Sequence, residues 1–206
     1  MELLRTANAG MLLKIDGTSV LLDGVSKALY PYLGTPNDLR EKLCANFPDI
    51  VAFTHTHEDH YDVDYVSAYE RETHRNVLGP YELYPVEQNS IKIFRINTRH
   101  LGKAKVPHVS FVITGSKTVW FMGDATPASL KEMENMPRPN VLIVPFAYGI
   151  SPSAWRDTIN TGAGHIIFLH LPEPEDDSLK LRETLKNTVG NTSRAVVLNM
   201  AEKIII

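Results

Sequence analysis

The stretch AFTHTHEDHYD, residues 52–62, places His55, His57 and His60 close together, with Glu58 and Asp59 between them. Neutral imidazoles and carboxylates are standard ligands of zinc and of other first-row metals. The apolar run IVAFT (50–54) ahead of them is expected to be a buried strand, which brings His55 out at its C-terminal edge. Residues two apart in an extended chain point to the same side, so His55 and His57 can converge on one ion. The turn that follows offers Asp59 and His60 to a second ion nearby. A solvated strand-to-helix turn accounts readily for one His-x-His pair. It accounts poorly for His-x-His-x-Asp-His directly behind an apolar strand, and the metal site is the stronger reading.

A closed site needs more ligands, and they stand at the ends of other expected strands. His100 follows SIKIFRI (90–96), and His170 closes HIIFLH (165–170). Asp124 follows TVWFM (118–122) and Gly123, whose missing side chain lets the backbone turn tightly. If 90–96, 108–114 and 118–122 form an antiparallel meander, His100, His108 and Asp124 share one edge. Taken singly, Asp124 is an ordinary turn residue before Thr126-Pro127, and His100 and His170 are loop histidines. Their joint appearance at strand ends favours the metal reading. His108 stays open: a ligand in place of His100, a proton donor to a leaving group, or a strand cap. Lining the site is the role preferred for it. His74 and His165 are expected to be structural.

The elements that must position these residues show in the turns and caps. GMLLKIDGTSVLLDG (10–24) is an expected hairpin of Met11–Ile15 and Val20–Leu22 around Asp16-Gly17. SFVITGSKTVWFM (110–122) is a second, turning at Gly115-Ser116, and VLIVPF (141–146) is a further strand. Thr35-Pro36, Thr126-Pro127 and Ser151-Pro152 each pair a capping hydroxyl with proline at the first helical position. Leu39 with Leu43, Leu130 with Met133, and Trp155 with Ile159 supply the buried faces behind them. A helix over 178–189 carries Leu181, Leu185 and Val189 and stops at Gly190, and another after the histidine turn carries Val66, Tyr69 and Thr73. The second half alternates strand and helix while the first is rich in hairpins. Mixed sheets covered by helices follow, not a purely parallel sheet.

No linker rich in Gly, Pro or Ser divides the 206 residues, so one α/β domain over 1–206 is expected. A net charge of −3 without a basic stripe gives no pull toward nucleic acid or an anionic membrane. Lys14 and Asp16 interrupt the first apolar run, and Glu2 stands where a leader peptide would be basic, so no signal peptide is expected. Nor does any run approach the roughly 20 apolar residues of a membrane span. The lone Cys44 excludes an internal disulfide and fits a reducing, cytoplasmic setting. It sits on an apolar helix face as an expected buried, structural residue.

HTHEDH (55–60), then His100, then GDA (123–125), then His170 at a strand end resemble the metallo-β-lactamase superfamily. The opening ANAGMLLKIDGTSVLLDG (7–24) is similar to that family's first hairpin, ending in an aspartate, Asp23. The short chain, the NAG opening and the ligand set look most like compact hydrolases related to ascorbate-6-phosphate lactonase. Many of those carry Gly-His-Ala in the opening turn, where this chain has Ala7-Asn8-Ala9. The resemblance implies a four-layer αβ/βα sandwich of two mixed sheets, with the site where the sheets meet. It implies two divalent metals, zinc foremost with manganese or iron open. His55, His57 and His100 would hold the first, Asp59, His60 and His170 the second, and Asp124 would bridge them. Asp23 would steady the histidine loop. Two cations roughly 3.5–4 Å apart activate water near neutral pH and stabilise an oxyanion, without a serine or cysteine nucleophile. Asp59 could both bind metal and hold the attacking hydroxide, and His108 is named with it as catalytic.

RINTRHLGKAKVPH (95–108) sets Arg95, Arg99, Lys103 and Lys105 around two histidines, a field that favours a small anionic substrate. The acidic PEPEDD (172–177) beyond His170 opposes it, unless those carboxylates serve a helix start. Tyr30, Tyr32 and Tyr148 are candidates for an apolar wall, and Arg99 and Tyr148 are the named substrate contacts. The expected activity is hydrolysis of a small ester, lactone or phosphoester. The rival is a catalytically silent relative whose metals staple the fold or bind a partner. A nuclease is disfavoured by charge.

Overall fold

The computed structural model describes residues 1–81, 86–102 and 105–206, so Lys103 of the basic loop lies outside the described residues. In chain order the first described elements are β1 (Glu2–Arg5), β2 (Met11–Ile15), β3 (Thr18–Leu22), α1 (Asn37–Ala45), β4 (Ile50–Ala52) and α2 (Val63–Thr73). Then come β5 (Val86–Gln88), β6 (Ile91–Asn97), β7 (Val109–Thr114), β8 (Thr118–Phe121) and β9 (Val141–Pro145). The chain closes with α3 (Pro152–Asn160), β10 (His165–Leu169), α4 (Leu181–Val189), β11 (Ala195–Val197) and β12 (Lys203–Ile205). One mixed sheet runs β12-β1-β2-β3-β4 and the other β11-β10-β9-β8-β7-β6-β5. Only β3–β4 is parallel in the first, whereas β8 to β11 are parallel and β5 to β8 antiparallel in the second.

Period-two alternation explains the layers, because successive side chains leave opposite faces of a strand. Leu13, Val20 and Leu22 of the first sheet meet Ile93, Phe111, Val119 and Ile143 of the second in a shared core. The alternate residues Trp120, Leu142, Ile166 and Phe168 face outward and are covered by α3 and α4. On the other side Leu21, Val51 and Phe53 are covered by Leu39 and Leu43 of α1 and Tyr65, Val66 and Tyr69 of α2. The result is the expected four-layer αβ/βα sandwich.

Both expected hairpins form, and their tips are tied together. Asp16 (φ 50) and Gly17 (φ 78) take the left-handed turn, and Asp16 accepts from the Ser116 amide and hydroxyl at 2.6 Å each. Three helix starts differ in detail. Ser151 caps α3 through the Ala154 amide as its sequence predicts. Thr35 instead spends its hydroxyl on the loop, accepting from Ser26 N (3.1 Å), and Pro36 takes the cap position. Pro127–Met133 is a 3₁₀ segment, without a side-chain cap from Thr126. The helix expected from 178 begins at Leu181, because Asp177 accepts from both the Leu181 and Arg182 amides at 2.8 Å and makes 178–180 a capping turn. Among the described residues no helix is long and apolar enough to cross a membrane.

Candidate metal centre

Strand directions bring the ligand candidates to one edge. β3 and β4 are parallel, so Asp23 and the Thr54-His55 pair leave the first sheet together. β6, β8 and β10 point the same way, so His100, Asp124 and His170 leave the second sheet there too. The Val109 amide donates to Thr54 O at 3.0 Å and joins the sheets at this edge. Gly123 (φ 53) packs so closely that a Cβ would stand 2.5 Å from Thr54 Cγ2, so the turn that aims Asp124 requires glycine. Asp23 (φ 46) and His170 (φ 58) hold left-handed backbones, which cost on the order of 1–3 kcal/mol each. The opening turn helps hold one of them, because His170 N donates to Asn8 O at 3.1 Å.

Two sets of ligand atoms converge. His55, His57 and His100 form one, and Asp59, His60 and His170 the other, with all ligand atoms of each set within 4.8 Å of one another. In the first, His55 Nε2 lies 3.1 Å from His57 Nδ1 and 3.3 Å from His100 Nε2. In the second, His170 Nε2 lies 3.1 Å from Asp59 Oδ2, and His60 Nε2 3.8 Å from the same oxygen. Asp124 stands between the sets. Its Oδ2 is 3.8 Å from His100 Nε2 and 3.4 Å from His170 Nε2, and its Oδ1 is 3.5 Å from His60 Nε2. Asp23 also lies near His55 and His60. Its carboxylate, however, already accepts from Thr54 N (2.7 Å), the Thr54 hydroxyl (2.6 Å) and His60 Nδ1 (2.8 Å). It steadies the histidine loop.

Three of the outward ring nitrogens are engaged by the protein, whereas His170 Nδ1 is buried without a hydrogen-bond partner. Besides His60 on Asp23, His100 Nδ1 donates to Leu101 O and His55 Nδ1 contacts the Thr54 hydroxyl. Each such bond turns an Nε2 lone pair inward, as a metal-binding histidine needs. His60 Nε2 and Asp124 Oδ1 are buried and have no hydrogen-bond partner. Leaving such groups unpaired is costly in a folded protein, and a cation between them satisfies both. The residues therefore fit a metal.

Electrostatics agree. Burial opposes charge on Asp124 and Asp59, yet His170 and His60 outweigh it and hold both carboxyls below their usual range, Asp124 well below. Burial, reinforced by neighbouring histidines, pushes the His55 and His57 imidazoles down, so both favour the neutral, ligating form. For His60 burial also acts against charge, but Asp124 and Asp23 lift its pKa well above normal. The centre is short of positive charge, which divalent cations would supply.

His108 lines the centre, as preferred for it, while Tyr148 takes a place other than the one expected. His108 lies beside the cluster, but its Nδ1 bonds the Thr98 hydroxyl (2.8 Å) and its Nε2 accepts from the Asp124 amide (3.0 Å). Neither nitrogen is free for an ion or a leaving group; the ring positions Asp124. Tyr148 is fully buried in the outer core, with its hydroxyl donating to Thr126 O at 2.9 Å, so it cannot touch a substrate. Tyr32 does reach the centre, its ring set edge-on to His170 with centroids 4.3 Å apart. Tyr30 is exposed. Arg99 is exposed next to His100, Lys105 is exposed, and Arg95 turns away to donate to Pro80 O at 2.6 Å. Cys44 is half-buried against α2's side of the core. His74 ends α2 in a left-handed cap, and His165 opens β10 at the opposite end from the centre. Thr54 escaped the sequence reading, although a hydroxyl immediately before His-x-His at a strand end was its signal.

A family model described as Beta-lactamase superfamily domain matches residues 6–157, and the chain belongs to that family. No curated protein matches the chain. Among solved structures, a possible metal-dependent hydrolase from Veillonella parvula DSM 2008 has TM-score 0.75 at 17% identity, covering 100% of this chain and 99% of its own. An isothiocyanate hydrolase from Delia radicum gut bacteria has TM-score 0.68 at 17% identity, with coverage of 100% and 99%. Igni18, a metallo hydrolase from the archaeon Ignicoccus hospitalis, has TM-score 0.67 at 17% identity, with coverage of 98% and 97%. At these identities the likeness is one of fold.

Proposed function

We propose that the protein is a metal-dependent hydrolase of small esters, lactones or phosphoesters, acting as one unit over residues 1–206. The observation that carries this reading is the pair of buried, unpartnered atoms His60 Nε2 and Asp124 Oδ1, 3.5 Å apart between two convergent ligand sets. His55, His57 and His100 would hold one ion, Asp59, His60 and His170 a second, with Asp124 shared. The donor set suits zinc, and its carboxylates admit manganese or iron. When bound, such ions supply Lewis-acid polarisation and a water acidic enough to attack at neutral pH. Asp59, placed beside both ligand sets, would hold the attacking hydroxide by accepting a hydrogen bond from it.

His108 keeps Asp124 aimed through the backbone amide. Tyr32 supplies the substrate-facing donor: its phenol is kept protonated by burial and by the charges of Asp124, Asp59 and Asp177. Arg99 favours an anionic group on the substrate. Lactones remain within the proposal through the short chain, the Asn8-Ala9-Gly10 opening and the ligand set, although Ala7-Asn8-Ala9 departs from the Gly-His-Ala turn of the lactonase-like group.

Turnover of p-nitrophenyl acetate, a γ-lactone, bis(p-nitrophenyl) phosphate and an isothiocyanate by metal-loaded protein tests the reading. Hydrolysis of at least one, cut about 100-fold or more by Asp59→Asn, is expected. Tyr32→Phe should lower kcat about tenfold with KM and metal content unchanged. A fully metal-loaded protein inert toward all four classes would leave the silent scaffold as the better account.

A further inference from the structure

The Thr54 hydroxyl touches neither proposed ion, yet it joins the residues that hold both. Thr54 and Asp23 are fully buried. The hydroxyl has one proton to give, and a carboxylate can only accept. At 2.6 Å from Asp23 Oδ2, that proton belongs to the carboxylate. What Thr54 turns toward His55 Nδ1, 3.0 Å away, is then a lone pair, and the contact is a hydrogen bond only if Nδ1 carries the imidazole proton. His55 Nε2 is thereby left unprotonated, facing His57 and His100. The same Asp23 oxygen accepts from His60 Nδ1 at 2.8 Å, which aims His60 Nε2 at Asp124.

We propose that Thr54 is a positioning residue whose hydroxyl fixes the tautomer of His55 and anchors the carboxylate that holds His60, so that the two ligand sets are ordered together. The inference rests on the metal-site reading for its consequence, but not for its hydrogen-bond chain. Threonine fits both demands of the position. Its hydroxyl orders the chain and its methyl packs on Gly123, where a Cβ would stand 2.5 Å from Cγ2. Thr54→Val keeps the methyl group and loses the hydroxyl, whereas Thr54→Ser does the reverse.

Two measurements test this. In metal-free protein labelled with 15N-histidine, long-range proton–nitrogen NMR spectra report which His55 nitrogen carries the proton. The Nδ1–H form is expected in wild type and Thr54→Ser, and a shift to Nε2–H in Thr54→Val. Zinc competition against a chromophoric chelator should show both equivalents weakened about 10–100-fold in Thr54→Val and within about threefold of wild type in Thr54→Ser. An Nε2–H tautomer in wild type overturns the proposal, as does Thr54→Val with unchanged tautomer or with only one zinc equivalent weakened. If Thr54→Val does not fold, the wild-type and serine spectra still decide. If wild type binds no zinc, the proposed function fails, while the spectra still judge the role of Thr54.

Discussion

His108 shows how a histidine beside a candidate metal site can serve without being a ligand or a substrate contact itself. It accepts from the Asp124 amide at 3.0 Å and bonds Thr98 at 2.8 Å, an arrangement that needs a neutral ring. Burial pushes its pKa down to about 3. The unfolded chain takes up the proton first, near pH ~6.5, so the contribution is full above that value and is lost as pH falls toward the folded pKa. In metal-free protein, wild type should therefore lose about 1.4 kcal/mol per pH unit more than His108→Gln across this window. Chemical denaturation at a series of pH values checks the difference, and parallel slopes would contradict it. His60, whose pKa is raised, keeps its full contribution below pH ~6.5 and adds no slope in this window.

At the scale of elements, the turn between β8 and Asp124 is the most constrained. Gly123→Ala places a methyl group against Thr54 in a left-handed backbone, at an expected cost of about 1–3 kcal/mol. A drop in Tm of roughly 3–10 °C, with weakened metal uptake, should appear in thermal scans. The same region shows what the chain makes legible. HTHEDH and the strands before His100, Asp124 and His170 carry long apolar runs with clear ends, so the meander and its shared edge could be anticipated. β1, β5, β11 and β12 are three or four residues long, too short for a periodic signal. Tyr148 looked like a site residue because sequence position gives the edge but not the direction of a side chain. Thr126-Pro127 carried a helix-start signal, yet the segment settles into i→i+3 bonds such as Ser129 N to Thr126 O. Asp177 explains the acidic run after His170, at least in part, as a helix cap and not a substrate contact.

For the molecule as a whole, the proposed ligands come from both sheets: His55, His57, Asp59 and His60 from beyond β4, and His100, Asp124 and His170 from the second sheet. Bound ions would therefore staple the sandwich along one edge. At metal concentrations about 1,000 times Kd such binding adds ~4 kcal/mol, so chelation should lower Tm by on the order of 10 °C. Calorimetry with and without chelator would show it, and an unchanged Tm would argue against stapling. The central claim is tested most directly by metal content per chain, measured by elemental analysis on wild type and Asp124→Ala after exposure to zinc or manganese. Wild type should hold about two ions, and the variant about one or fewer, because one carboxylate serves both ligand sets. A wild-type protein that takes up neither metal would contradict the account.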